Sequence, residues 1–154
     1  MGNNTSGLSA YEPGQFIGKE SVFTADPTYS LVCFVSTKFE MEDRIEAEFK
    51  RRYGGVEWLK AQSPVEGKAV PVKVGDRYIY YLTVRKEAFD KATVQNVESA
   101  LRDLKSHARN NGVRNIAVPH HFTSDFMQSA YKAVFEEVFK GNGRKSITVH
   151  YFET

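Results

Sequence analysis

The chain has 154 residues, 41% of them hydrophobic and including eleven Phe and eight Tyr, with 21 basic against 19 acidic side chains for a net charge of +2. That length suits one domain with a sizeable core, and the near-balanced charge argues against a dedicated nucleic-acid binder. Cys33 is the single cysteine, which excludes an intramolecular disulfide and a cysteine-rich zinc site, and no apolar run approaches the ~20 residues of a membrane-spanning helix.

Residues 1–13, with Gly, Asn, Ser and Pro13, read as a flexible tail ahead of a domain over 14–154. The opening Met1-Gly2-Asn3-Asn4-Thr5-Ser6 fits the pattern for N-myristoylation at Gly2, beside the plainer reading of a polar tail. The N-terminus lacks the apolar core of a secretory signal, so a reducing cytoplasmic or nuclear setting is expected. Gln15 to Phe23 is assigned a short first strand. Ser30 to Ser36 (S-L-V-C-F-V-S) is an apolar run of strand length, which predicts a strand buried on both faces with Cys33 as a core residue. Met41, Ile45 and Phe49 recur every four residues and predict an amphipathic helix, closed by Gly54-Gly55. Val56 to Gln62 adds one or two helical turns.

Lys68 to Val74 alternates polar and apolar, Gly75-Asp76 turns the chain, and Arg77 to Val84 is the next strand. Thr93 caps a long helix with Val94, Val97, Leu101, Leu104 and Ala108 on one face, and Gly112 ends it. Asn115 to Val118 is a short strand, and Asp125 to Phe139 a helix with Phe126, Ala130, Val134 and Val138 as its apolar row. Gly141 to Arg144 turns into a last strand, Ser146 to Phe152. This alternation implies a mixed sheet between helical layers.

Such a domain binds its ligand beyond the C-terminal ends of its strands. Two loops there draw attention: Met41-Glu42-Asp43-Arg44-Ile45-Glu46 and Pro119-His120-His121-Phe122-Thr123-Ser124-Asp125. Neither contains glycine, although a phosphate-cradling loop needs amides that approach the anion closely. Plain readings exist for several neighbours. Lys91 reads as an exposed loop lysine paired with Asp90, and Asp125-Phe126-Met127-Gln128 as a helix capping box. His120 and His121 are adjacent on an extended segment and point to opposite sides, so no metal is expected there. Lys50-Arg51-Arg52 and Arg85-Lys86 read as solvated faces balanced by Glu46, Glu48 and Glu87. Trp58, Tyr78, Tyr80 and Tyr81 read as core and sheet face, with Tyr81 opposite Tyr78 and Tyr80.

Several blocks resemble macro domains: Ser30-Leu31 through Phe49-Lys50-Arg51-Arg52-Tyr53-Gly54-Gly55-Val56, Asp76-Arg77-Tyr78-Ile79-Tyr80-Tyr81-Leu82, Lys91-Ala92-Thr93-Val94-Gln95-Asn96, Asn111-Gly112-Val113 through Pro119, Val134-Phe135-Glu136-Glu137-Val138-Phe139 and Ile147-Thr148-Val149-His150-Tyr151. Their order is that of the terminal ADP-ribose protein glycohydrolase branch, over roughly residues 14–152. The resemblance implies an α/β fold, a single three-layer α/β/α sandwich with a mixed central sheet, that binds ADP-ribose. It also implies a nucleophilic lysine before the long helix, matched by Lys91. A partner aspartate is matched by Asp125 if a one-residue gap is allowed.

Three ligand regions depart from the family pattern. Glu42-Asp43-Arg44, with Glu46 just beyond, stand where small residues are expected. His120, His121, Phe122, Thr123 and Ser124 replace a glycine-rich loop. Ser21 stands where an acidic residue would read the adenine. Carboxylates beside a pyrophosphate repel it by ~1 kcal/mol per pair at ~4 Å in water. The expectation is therefore a degenerate, catalytically inactive macro domain that has lost ADP-ribose, needs no cofactor and serves as a protein-interaction module. The alternative is an ADP-ribosyl-glutamate hydrolase using Lys91 and Asp125. A third possibility is nucleic-acid binding by Arg44, Lys50, Arg51 and Arg52.

Overall fold

A computed structural model describes residues 21–119, 125–141 and 143–152, with backbone alone for 125–129. The tail over 1–13, Gly2 and the loop positions His120, His121, Phe122, Thr123 and Ser124 lie outside the described residues. In chain order the elements are β1 (Ser30–Ser36), α1 (Arg44–Tyr53), α2 (Val56–Ala61), β2 (Lys68–Val74), β3 (Arg77–Arg85), α3 (Val94–Asn110), β4 (Asn115–Pro119), α4 (Asp125–Phe139) and β5 (Thr148–Phe152), preceded by a 3-10 turn at Val22–Thr24. The described part of the expected first strand, Ser21 to Phe23, is thus not strand. The Ser21 hydroxyl accepts from the Phe23 amide at 3.2 Å and starts the 3-10 turn instead.

The strands form one sheet in the order β2-β3-β1-β4-β5. β1 pairs in parallel with both β3 and β4, and β4 in parallel with β5; β2 runs antiparallel on the edge. β1 is buried at every position. Its residues divide by parity, as the pleat requires. Val32 and Phe34 join the cluster with α3 and α4; Leu31, Cys33 and Val35 join Ile45, Phe49 and Leu59 from α1 and α2. Tyr80 and Tyr81 follow the same rule on β3, one on each face. This is a three-layer α/β/α sandwich with a mixed sheet.

Each helix starts and stops for a local reason. The Thr93 hydroxyl accepts from the Asn96 amide at 3.1 Å to open α3. Its stripe Val97, Ala100, Leu101, Leu104 and Ala108 is fully buried. Truncation of Leu101 to Ala would cost about 2–5 kcal/mol. Gly54 and Gly55 end α1 at φ of +60° and +72°, where a Cβ is disfavoured.

Four expectations are corrected. Met41 is buried as expected, but it sits ahead of α1 at φ +52° rather than inside the helix. Trp58 is 52% exposed and is not core, because α2 turns its Leu59 inward instead. Among the described side chains of α4 the buried row is Tyr131, Phe135, Val138 and Phe139, with Ala130 and Val134 at its margin; Phe126 lies outside the described side chains. The larger rings win the place against Phe34 and Tyr151. β5 begins at Thr148, after Ser146 has closed a turn through its amide and hydroxyl on the Gly143 carbonyl.

Candidate functional site

β1 lies at the centre of the sheet, and the chain proceeds to β3 on one side and to β4 on the other. This is the switch point at which open α/β sheets place a crevice. The loops that leave β1 (37–43) and β3 (86–93) emerge at this C-terminal edge, where β4 also ends. The Lys91 segment, the Glu42–Arg44 segment and the backbone start of α4 at Asp125 are therefore gathered here. The Asp125 side chain, on which the capping and catalytic readings rest, lies outside the described residues.

The first two loops are bound together. The Thr37 amide donates to the Arg85 carbonyl at 2.9 Å and its hydroxyl to the Lys86 carbonyl at 3.0 Å. Glu40 Oε1 accepts from the Ala88 amide at 3.0 Å, and Lys38 pairs with Glu87 at 2.9 Å. Phe39 and Met41 both adopt φ of +52°, a region costly for residues with a side chain. Both are buried, and the Phe39 ring meets Tyr81 edge-on, so core packing holds the unfavourable backbone.

The carboxylates of this loop do not stand as the sequence suggested. Asp43 Oδ1 accepts from the Ile45 amide at 2.9 Å and from the Glu46 amide at 3.4 Å, so Asp43 is the N-cap of α1. Glu46 is buried, and its Oε2 accepts from Arg85 Nη2 at 2.7 Å. Burial pushes the Glu46 carboxyl up from its ordinary value, and the Arg85 guanidinium opposes this only in part. Glu46 is thus not available to balance Lys50-Arg51-Arg52. Among the described residues Glu48 pairs with two of the three, bonding Arg51 at 2.5 Å and Arg52 at 2.6 Å. Glu42 and Arg44 are the exposed side chains of this stretch besides Asp43.

Lys91 is exposed in the segment just before α3. It forms no ion pair with Asp90 among the described residues; the Asp90 carboxylate instead accepts from the Glu87 amide at 3.0 Å. The next residue, Ala92, has its carbonyl held by the Tyr131 hydroxyl, which ties α4 to the Lys91 segment. Sequence reasoning missed Tyr131, Glu40 and Arg85 as the residues that fix these loops. Tyr131 alone was findable, from its spacing of four to Phe135. Cys33 is buried as expected, and burial pushes its thiol well up, so it stays protonated. No cluster of His, Cys, Asp and Glu fit to hold a metal occurs among the described residues, and none of their helices is long and apolar enough to cross a membrane.

No family model matches the chain. It is 35% identical over 134 residues to the ADP-ribose glycohydrolase OARD1 of Bos taurus, with 86% of this chain and 88% of that protein covered. The human OARD1 gives the same identity and coverage. The chain is a macro domain of the ADP-ribose glycohydrolase branch. In fold, this macro domain is similar to that of Thermus aquaticus DarG, with a TM-score of 0.74 at 21% identity, covering 87% of this chain and 94% of that one. The macrodomain of Mycobacterium tuberculosis DarG is next to it, at a TM-score of 0.68 and 20% identity, over 87% and 93% of the two chains.

Proposed function

We propose that this macro domain has exchanged its diphosphate site for an internal cap, is catalytically inactive, and works as a protein-interaction module. One observation carries the reading: the Asp43 carboxylate sits on the first free amides of α1. Those N–H groups, at the positive end of the helix, are the donors that a phosphate oxygen would take. An arriving phosphate has to displace a carboxylate already held by charge-assisted hydrogen bonds. The reason for loss is therefore occupation of the donors more than repulsion by free acids. Exposed Glu42 adds ~1 kcal/mol of repulsion at ~4 Å in water.

A protein partner is supported by Phe89, which is 82% exposed two residues before Lys91. Its loop is already ordered: the Arg85 Nε donates to the Ala88 carbonyl at 3.2 Å and the Asp90 amide to the Glu87 carbonyl at 3.0 Å. An exposed aromatic on an ordered loop binds with little further loss of entropy. Isothermal titration with ADP-ribose is expected to give no micromolar binding, and a clear micromolar isotherm overturns the reading.

A second reading is favoured by exposed Lys91 and by the 35% identity to proteins named as ADP-ribose glycohydrolases. Here the Lys91 amine attacks the anomeric carbon of the ribose, the bond to the glutamate breaks and its carboxylate leaves, the ring opens to a Schiff base, and water hydrolyses that to ADP-ribose and the free amine, with Asp125 moving the protons. It requires release of ADP-ribose from glutamate-modified protein, abolished in Lys91→Ala. Absence of turnover by the unaltered chain ends it.

A further inference from the structure

The opposite edge of the sheet carries a second feature. α3 ends there, β4 begins at Asn115, and residues 140–141 and 143–146 lie between α4 and β5. Between these elements lie two adjoining depressions of ≈ 370 Å³ and ≈ 410 Å³. Lys105, Arg109 and Lys145 line both; Lys140 and Arg144 line one, and Arg102 the other. No carboxylate lines either depression among the described residues. The floor is apolar, from Phe139 and Ile147, both nearly buried.

Two of the six cations are partly spent. Arg102 pairs with Glu98 and Lys140 with Glu137, each at 2.9 Å on an exposed helix face. Lys105 donates to the Val138 carbonyl at 2.8 Å, a neutral acceptor. Arg109, Arg144 and Lys145 form no ion pair among the described residues. Four uncompensated cations thus border one groove in a chain whose net charge is +2. By contrast, two of the basic residues in the run Lys50-Arg51-Arg52 are paired with Glu48.

Arg102, Lys105 and Arg109 follow at three and four residues on one face of α3, about 10 Å along its axis. Together with Arg144 and Lys145 they form a line of cations with no carboxylate in the described lining, which suits a polyanion that carries a charge at every step of its own backbone. An extended acidic peptide presents only alternate side chains to one surface and is the competing occupant that the test includes. No exposed aromatic lines the groove among the described residues, so none of them offers bases a stacking platform.

We propose that this groove binds the phosphodiester backbone of a nucleic acid without sequence preference. The test is fluorescence anisotropy of the full chain with an oligouridylate and with an oligothymidylate of equal length. Both are expected to bind with similar affinity. Four phosphate contacts give a log–log salt slope of about −3, or about a fiftyfold loss between about 50 and about 200 mM salt. Arg109→Glu with Lys145→Glu is expected to remove the binding, while Lys50→Gln leaves it unchanged. Should the charge reversal unfold the protein, Arg109→Gln with Lys145→Gln reads the same groove and flattens the slope by about 1.4. The proposal is overturned by no binding at low salt, by salt-insensitive binding, by binding that survives these substitutions, or by polyglutamate competing as well as the oligonucleotides at equal charge. ADP-ribose titration reports on the other edge of the sheet and is independent of each of these results.

Discussion

At the C-terminal edge of the parallel strands, Asp43 and Glu46 are occupied by the amides of α1 and by Arg85; at the N-terminal edge, Arg109, Arg144 and Lys145 border a groove with no carboxylate in its lining among the described residues. The acidic residues of the first region lie close in sequence, and two of the three are already taken up by neighbours. The basic cluster of the second is scattered over more than forty positions and gathered only by the fold. Formal charge in a sequence therefore does not state electrostatic role. What matters is whether a neighbour has already neutralised it, and burial decides how strongly that neighbour counts.

The largest test of this contrast is Arg85→Met. It leaves the Glu46 carboxylate buried without its partner and is expected to cost about 3–5 kcal/mol in denaturant unfolding. Pairing it with Glu46→Leu removes the stranded charge and recovers most of that loss. Equal stability of the single and double variants would show that the pair is not the clamp of the early loop. The next effect is smaller. Asp43→Ala removes the α1 cap and is expected to cost about 1 kcal/mol, with Asp43→Asn costing less. In the same variant the freed amides should gain affinity for ADP-ribose by titration. A cap loss with no gain in binding would mean that the remaining loop changes alone bar the ligand.

The smallest effect lies on the exposed face of α1. The hydrogen bonds from Arg51, and then from Arg52, hold the Glu48 carboxyl at about 2, well below its ordinary 4.5. A depressed carboxyl contributes stability above the unfolded value of 4.5, and the contribution is lost as pH falls through about 2. Carboxyl titration by NMR should find this low midpoint, moving upward with added salt and in Arg51→Gln. Because the pair is exposed, the change in unfolding free energy is expected to be slight. A midpoint at the ordinary glutamate value would mean that Arg51 and Arg52 are free, and would return that run to candidacy for nucleic acid.

Much of the architecture was legible. β2 and α4 keep the expected boundaries because each is bracketed by strong local signals, Gly75-Asp76 after one and a helical apolar period within the other. The interior strand β1 was readable from an unbroken apolar run, which only a strand covered on both faces can carry. Met41 misled because its spacing to Ile45 is helical while its burial comes from a loop. Asp43, an N-cap residue type directly before the helix, was a stronger boundary signal than that period. Trp58 misled because ring size argues for burial, whereas a six-residue helix has one inward face and Leu59 takes it.

The candidate site was legible only as a list of residue types. That the chain would leave β1 and β4 for a helix followed from short-range pattern, which sets which segments are strands and helices; the strand order that puts β1 beside β4 came from the structure. Whether Glu46 would face a ligand or the interior, and whether Lys105, Arg109 and Lys145 would stand together, depended on contacts between residues far apart in the chain. Local periodicity determines which side of an element is apolar; only the packed layers determine which charges find a partner, because an ion pair is a property of two positions in space.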